Sequence, residues 1–176
     1  MPEDTVDLSP DDLRAVAGYA AACAGTVLAI FETARLGDVR PRAAVEAALA
    51  FAGGAARSKA LRGAAWAAQA AAREAGDGAA SQAARAALAA AGAGFLHPLA
   101  KATQVKHILG AGAHAARAVE LATRNDAAAG EAQVARMRDL APPRVVQVLR
   151  RYPPAPAGGG RVGELMRRLD AALRLT

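Results

Sequence analysis

Alanine constrains this chain most, because it fills the apolar positions while aromatic side chains are scarce. Hydrophobic residues make up 53% of the 176 positions and aromatic residues only 3%. Alanine has the highest helix propensity and loses no side-chain entropy on burial, and no segment alternates with the two-residue period of a strand. The sequence therefore predicts an all-α fold, a compact bundle or short solenoid-like stack of about seven or eight alanine-rich helices.

Capping residues and glycine or proline breaks divide the chain into predicted helices. The clearest start is Ser9-Pro10-Asp11-Asp12, which combines an N-cap serine, a first-turn proline and acids at the positive end of the helix dipole. The predicted helices cover residues 10–35, 41–51, 58–75, 79–91, 98–123, 126–140, 143–151 and 161–175.

The organisation expected from these breaks is an alanine-rich helical domain, residues 1–152, followed by a linker and a last helix. Residues 153–160 read Pro-Pro-Ala-Pro-Ala-Gly-Gly-Gly, a composition typical of linkers. Residues 161–176 form an amphipathic helix whose apolar stripe needs a partner surface. We expect it to dock on the same domain, with another chain as the alternative partner.

The single cysteine and the residues near the N-terminus indicate the cellular compartment. Cys23 is the only cysteine, so no internal disulfide can form and a reducing compartment is the simpler assumption. The chain opens with acids instead of the basic and apolar regions of a secretory signal. The uncharged stretch at residues 15–31 is shorter than the ~20 residues of a membrane span. We therefore expect a cytoplasmic protein with no membrane partner.

The net charge of +6 arises entirely near the C-terminus, where residues 136–176 hold nine arginines and three acids. Such asymmetry can attract nucleic acid or an acidic protein face, and the alternative is a solvated arginine surface. Tyr152 is the only aromatic residue there that could stack on a base. The candidate basic interaction patch consists of Arg144, Arg150, Arg151, Arg161, Arg167, Arg168 and Arg174.

No motif predicts catalysis, a cofactor or a metal. Two of the three histidines, His107 and His114, lie seven residues apart on one predicted helix, whereas helical metal pairs are four apart. His97 precedes a proline, and no serine or cysteine stands in a nucleophile pattern. We expect a protein that is not an enzyme; the alternative is a catalyst whose residues converge only in the fold.

Alternating charges crowd the corner between the first two predicted helices. We interpret them as an ion-pair network that fixes the turn, because paired catalytic carboxylates would need a cleft and a raised pKa. The candidate structural ion-pair corner consists of Glu32, Arg35, Asp38, Arg40, Arg42 and Glu46.

Several motifs together carry a family resemblance. They are Phe31-Glu32-(x5)-Asp38-x-Arg40-Pro41-Arg42-x-x-Val45-Glu46, then Ala64-Ala65-Trp66-Ala67-Ala68, then Lys101-Ala102-Thr103-Gln104-Val105-Lys106-His107, and the tail Leu149-Arg150-Arg151-Tyr152-Pro153-Pro154. From about Leu13 to Leu173 the chain resembles the all-helical putative immunity proteins of actinobacteria and related bacteria. The resemblance implies a cytoplasmic protein that binds and neutralises a cognate toxin, and it supplies no catalytic residues.

An alternative function comes from the same resemblance, since some of those proteins bear an exonuclease-subunit label. It is a nucleic-acid-associated accessory protein that uses the arginine-rich C-terminal region. This chain is too short for an ATPase of that kind and lacks its nucleotide-binding loop. Inhibitors of nuclease toxins are often acidic, to complement a basic cleft. A basic immunity protein implies a toxin with an acidic or apolar face, or contact through the near-neutral residues 1–135.

Overall fold

The computed structural model describes residues 4–176, so the first three residues of the predicted 1–152 domain lie outside the described range. Within residues 4–176 the chain forms nine α-helices and no strand, which confirms the all-α prediction. The helices are α1 (Pro10–Gly25), α2 (Leu28–Ala34), α3 (Arg40–Ala52), α4 (Lys59–Glu74), α5 (Ala79–Ala93), α6 (Val105–Ala122), α7 (Ala127–Leu140), α8 (Pro143–Leu149) and α9 (Gly160–Arg174), with a 3₁₀-helix (Ala102–Gln104) before α6.

Small side chains fill the centre of the fold, where α5 packs between α4 and α6 and α1 crosses both α5 and α6. The fully buried alanines of α5 are Ala83, Ala84, Ala86, Ala87, Ala90, Ala91 and Ala93. Because alanine contributes little area, a dense interior requires the helices to approach closely. At Gly112 of α6, an added Cβ would lie 2.8 Å from Leu169 Cδ2 of α9. Helices α6 and α9 are therefore in close contact at this point.

The first predicted helix is wrong in one respect, because the chain breaks it into α1 and α2 with a bend of 46°. At the break, the Thr26 hydroxyl donates to the carbonyl of Cys23 at 2.7 Å. The side-chain amide of Gln133 on α7 donates in turn to Thr26 Oγ1 at 2.8 Å. A hydroxyl bonded to a carbonyl of the preceding turn bends a helix, and here a contact from a distant helix holds it in place.

No single helix within residues 4–176 is both long and apolar enough to cross a membrane. Only α1 and α2 taken together, across their bend, reach that length and composition. In this fold the apolar residues of α1 lie in the core, against α3, α5 and α6.

The fifth predicted helix begins too early, since α6 starts at Val105 and not at Pro98. The carbonyl of Pro98 accepts a hydrogen bond from the Val6 N–H at 2.9 Å, and Thr5 forms an isolated antiparallel bridge with Leu99. The backbone groups that a helix would use internally are thus bonded to the N-terminal segment.

Helix α9 packs against α6 and α7. The fully buried residues of its apolar stripe are Leu165, Leu169 and Leu173. The segment before it follows α9 closely: the Ala155 N–H donates to Asp170 Oδ2 at 3.0 Å, and Arg167 Nη1 donates to the Gly158 carbonyl at 2.7 Å. The proline- and glycine-rich residues are therefore bonded to α9 along their length.

Candidate functional site

The residues of the predicted ion-pair corner meet where the end of α2 and the start of α3 approach the end of α4. Arg42 contacts Glu32 through two bonds, Nε to Oε1 at 2.6 Å and Nη2 to Oε2 at 2.9 Å. Arg40 Nη2 lies 2.7 Å from Asp38 Oδ2 and 2.6 Å from Oε2 of Glu74 on α4. The corner therefore connects three helices.

Two further predicted members lie at the edge of this corner. Arg35 Nη2 donates to the backbone carbonyl of Glu74. Glu46 is exposed one turn beyond Arg42. The hydrogen bonds to Glu32 raise the pKa of Arg42, and the negative charge of Glu46 raises this pKa by a smaller amount. Sequence reasoning missed Glu74, which is 34 residues from Arg40 and carries no local signal.

The carboxylates of the corner are held in their charged form. Hydrogen bonds from Arg42 lower the pKa of Glu32, and hydrogen bonds from Arg40 lower the pKa values of Asp38 and Glu74. A general acid working near neutral pH needs a raised pKa. This electrostatic arrangement supports a structural role for the corner.

Two arginines of the predicted basic interaction patch bind one buried carboxylate at the start of α1. Arg144 Nη1 lies 3.2 Å from Asp12 Oδ1, and Arg151 Nη1 lies 2.7 Å from Asp12 Oδ2. Asp12 is 4% exposed and also accepts the Ser9 N–H at 3.1 Å. Burial alone would raise the pKa of Asp12, but the hydrogen bonds from Arg151 and Ser9 outweigh it and leave the pKa below its usual value.

A third arginine of the patch, Arg161 at the start of α9, binds the buried carboxylate of Glu120 on α6. Its Nε donates to Glu120 Oε1 at 3.0 Å, while Arg117 Nη1 donates to Glu120 Oε2 at 2.8 Å. Glu120 is 1% exposed. Burial would raise the pKa of Glu120, but the hydrogen bonds from Arg161 and Arg117 leave it lowered.

The other four arginines of the patch also bond within the fold. Their partners are Glu131 and Glu164 for Arg168, Asp170 for Arg174, the Arg174 carbonyl for Arg150, and the Pro156 and Gly158 carbonyls for Arg167. A carboxylate partner competes with a phosphate for the charge of an arginine. The five arginines of the patch that pair with carboxylates therefore favour an internal role over a nucleic-acid surface.

The three histidines are dispersed, and no three His, Cys, Asp or Glu side chains within residues 4–176 gather as a metal site. His97 is exposed. His107 Nδ1 donates to the Gly92 carbonyl at 3.2 Å, and His114 Nδ1 lies 2.7 Å from Gln82 Oε1. Both bonds link α6 to α5.

A groove of about 440 Å³ lies between α4, α5, α6 and α9. At its floor α5 and α6 come close, so that an added Cβ at Gly110 would lie 3.6 Å from the Ala89 Cβ. Trp66 of α4 forms one wall and is 64% exposed. The other lining residues are Gln69, Leu88, Gly92, Lys106, His107, His114 and Met166. The groove therefore combines a depression with a largely exposed aromatic side chain.

Sequence reasoning missed this groove, although the sequence holds one signal for it. The buried residues of α4 are Leu61, Ala65, Ala68, Ala71 and Ala72. Trp66 follows Arg62 by four residues, which places it on the charged face of α4 and off the buried one. A tryptophan on a charged helical face is a candidate contact residue.

The histidine beside this groove predicts a pH dependence of stability. Burial, with a smaller contribution from the charge of Arg85, lowers the pKa of His114 to about 4. Because the unfolded histidine has a pKa near ~6.5, the unfolded state takes up a proton first as the pH falls. We expect the free energy of unfolding to decrease by up to about 3 kcal/mol between about pH 6.5 and pH 4.

Urea denaturation at intervals from pH 7 to pH 4.5 measures this slope. His114→Gln should reduce this slope without abolishing it, because burial also lowers the pKa of His107. His97→Gln, at an exposed position, is the matched control. An equal slope in the wild type and in His114→Gln would contradict the assignment.

Residues 7–140 match the family model described as Imm-5 like putative immunity protein. No curated protein and no solved structure matches the chain. The matched residues contain α1 to α7, with the ion-pair corner and most of the groove. They confirm the family resemblance and include three of the four motifs that carried it, whereas the tail motif at residues 149–154 lies outside the match. Since the match covers well over half of the chain, the protein belongs to the Imm-5 like putative immunity protein family.

Proposed function

We propose that this protein neutralises a cognate bacterial toxin by binding it, in the cytoplasm of the cell that makes it, and that it catalyses no reaction. Membership of the Imm-5 like family is the observation that carries the proposal, because immunity proteins in general act on a toxin partner. The groove beside Trp66 supports it, since protein contact surfaces commonly centre on an aromatic side chain next to a depression.

The titratable groups support a binding role over a catalytic one. The carboxylates whose pKa is shifted, Asp12, Glu32, Asp38, Glu74, Glu120 and Glu164, all have lowered values. Burial raises the pKa of the Cys23 thiol to about 12, so that it stays protonated and unreactive at neutral pH. These pKa shifts supply neither a carboxylic acid that titrates near neutral pH nor an activated thiol.

The arginines near the C-terminus also favour toxin binding over the nucleic-acid alternative. By pairing with Asp12 they connect α8 to α1, and by pairing with Glu120 they connect α9 to α6. These contacts within the fold give a structural reason for much of the excess of arginine near the C-terminus. We propose that they hold the C-terminal helices on the rest of the fold.

Co-expression tests the proposed function. Each toxin gene that neighbours the gene for this protein is expressed in a sensitive bacterial host, with and without the wild-type chain. We expect one toxin to be neutralised, with growth restored, and the two proteins to elute as one complex in size-exclusion chromatography. An unrelated immunity protein serves as the control. If the chain protects against none of the neighbouring toxins, the proposal is refuted.

A further inference from the structure

One exposed stripe of α4 combines positive charge with the only tryptophan of the chain. Its residues are Lys59, Arg62, Trp66, Gln69 and Arg73, which follow one another at alternating spacings of three and four. Residues at these spacings share one face of a helix. Within residues 4–176 no carboxylate forms an ion pair with Lys59, Arg62 or Arg73, in contrast to the paired arginines near the C-terminus.

At the start of α4 the positive charge of this stripe is concentrated around a ring. The guanidinium of Arg62 lies 5.0 Å from the centre of the Phe95 ring, and that of Arg57 lies 5.7 Å from it. Both arginines stay solvent-exposed. Contact with the ring orders these guanidinium groups without neutralising them, so they remain available to a negatively charged partner.

The groove continues this basic surface away from α4. On the far side of the groove from Trp66 stands the exposed Lys106 of α6. Lys106 and Met166 also line a second depression of about 260 Å³ beside Gly158 and Gly163. No aspartate or glutamate lines either depression. The two depressions therefore have largely apolar linings, and Lys106 is the one Lys, Arg, Asp or Glu residue that lines them.

We infer that this groove is the toxin-contacting surface, and that it takes an acidic face of the toxin from which an apolar side chain projects. The inference rests on the proposed function. An apolar side chain would fill the space between Trp66, Leu88 and Met166, and carboxylates beside it would meet Arg62 and Lys106. Complementary charge at the rim raises the association rate and fixes the orientation of the partner.

The shortage of exposed aromatic side chains favours a protein partner over a single-stranded nucleic acid at this surface. Sequence-tolerant binding of single strands uses several aromatic platforms for successive bases. Here Trp66 is the only aromatic among the strongly exposed large hydrophobic residues of the described chain. A single aromatic wall beside a mostly apolar groove fits one protein side chain better than a row of bases.

The fluorescence of Trp66 reports directly on this surface, because it is the only tryptophan of the chain. The probe is the toxin domain neutralised in co-expression, made catalytically inactive and with each of its own tryptophans replaced by phenylalanine. We expect the emission to shift to shorter wavelength when the domain binds, and acrylamide to quench it less. Unchanged emission in a complex that does form would overturn the inference.

Affinities of matched variants provide the second test. Trp66→Ala should weaken binding at least about 30-fold, and Arg62→Glu combined with Lys106→Glu at least about tenfold, with a smaller dependence on salt. The controls are Leu175→Ala, at a residue 88% exposed, and Arg136→Glu, at an exposed site on α7. Both should bind like the wild type.

The outcomes separate the two proposals. No wild-type complex with any candidate toxin refutes the proposed function and this inference together. Wild-type affinity retained in Trp66→Ala and in the charge-reversal variant refutes the inference alone. A fluorescent 20-nucleotide thymidine strand that binds the wild type and not Trp66→Ala would instead assign the surface to nucleic acid.

Discussion

Replacing Gly130 by alanine is expected to lower the free energy of unfolding by about 3 kcal/mol, because the new methyl group would overlap the side chain of Glu120. An added Cβ at Gly130 of α7 meets Glu120 along its length, from Cγ to the carboxylate. Glu120 has little freedom to move aside, since Arg117 and Arg161 bind both carboxylate oxygens in a site only 1% exposed. The added methyl group would therefore either separate α6 from α7 or break the ion pairs of Glu120.

A double-mutant cycle isolates this contact. With Glu120→Ala in place, the space beside residue 130 is open, and Gly130→Ala should be neutral or stabilise by up to about 1 kcal/mol through helix propensity. Gly63→Ala on α4 is the matched control, because its added Cβ meets nothing within 4 Å. Chemical denaturation measures all the variants. An equal loss from Gly130→Ala in both backgrounds would show that Glu120 is not the obstacle.

Most of the helices could be predicted from the sequence because their causes are local. Alanine propensity, the Ser9 cap and the glycine breaks act within a few residues, and these helices form close to where they were expected. At the bend, the Thr26 hydroxyl that bonds to the Cys23 carbonyl is held by the amide of Gln133, 107 residues away. The late start of α6 likewise depends on the N-terminal segment at Thr5. Periodicity alone contains neither interaction.

The candidate site follows the same division. Glu32, Asp38, Arg40 and Arg42 lie close in sequence, and the structure brings them together; Glu74 joins them only because α4 ends beside α3. The sequence located the arginines near the C-terminus and not their partners, because Asp12 is more than 130 residues from Arg144. The groove forms only when four helices pack together, so it could not be predicted from the sequence. The one local signal for it was the position of Trp66 on the charged face of α4.

Replacing Asp12 by alanine is expected to lower the free energy of unfolding by about 2–3 kcal/mol, since it removes one half of the capping box with Ser9 and leaves two arginines without their buried partner. Asp11, its neighbour, is the matched control: its side chain is 71% exposed and pairs with Arg14 at the surface. Asp11→Ala should therefore cost less than about 1 kcal/mol.

The pH dependence of the same variants identifies the charge as the cause. Because the pKa of Asp12 is lowered in the folded state, its contribution is present above the unfolded value near ~3.9 and is lost as the pH falls through the folded pKa. Urea denaturation at pH 7 and pH 3 should show the cost of Asp12→Ala shrinking in acid, while that of Asp11→Ala changes little. If the two variants cost the same at pH 7, the pairing of Asp12 with Arg144 and Arg151 does not stabilise the packing of α8 on α1.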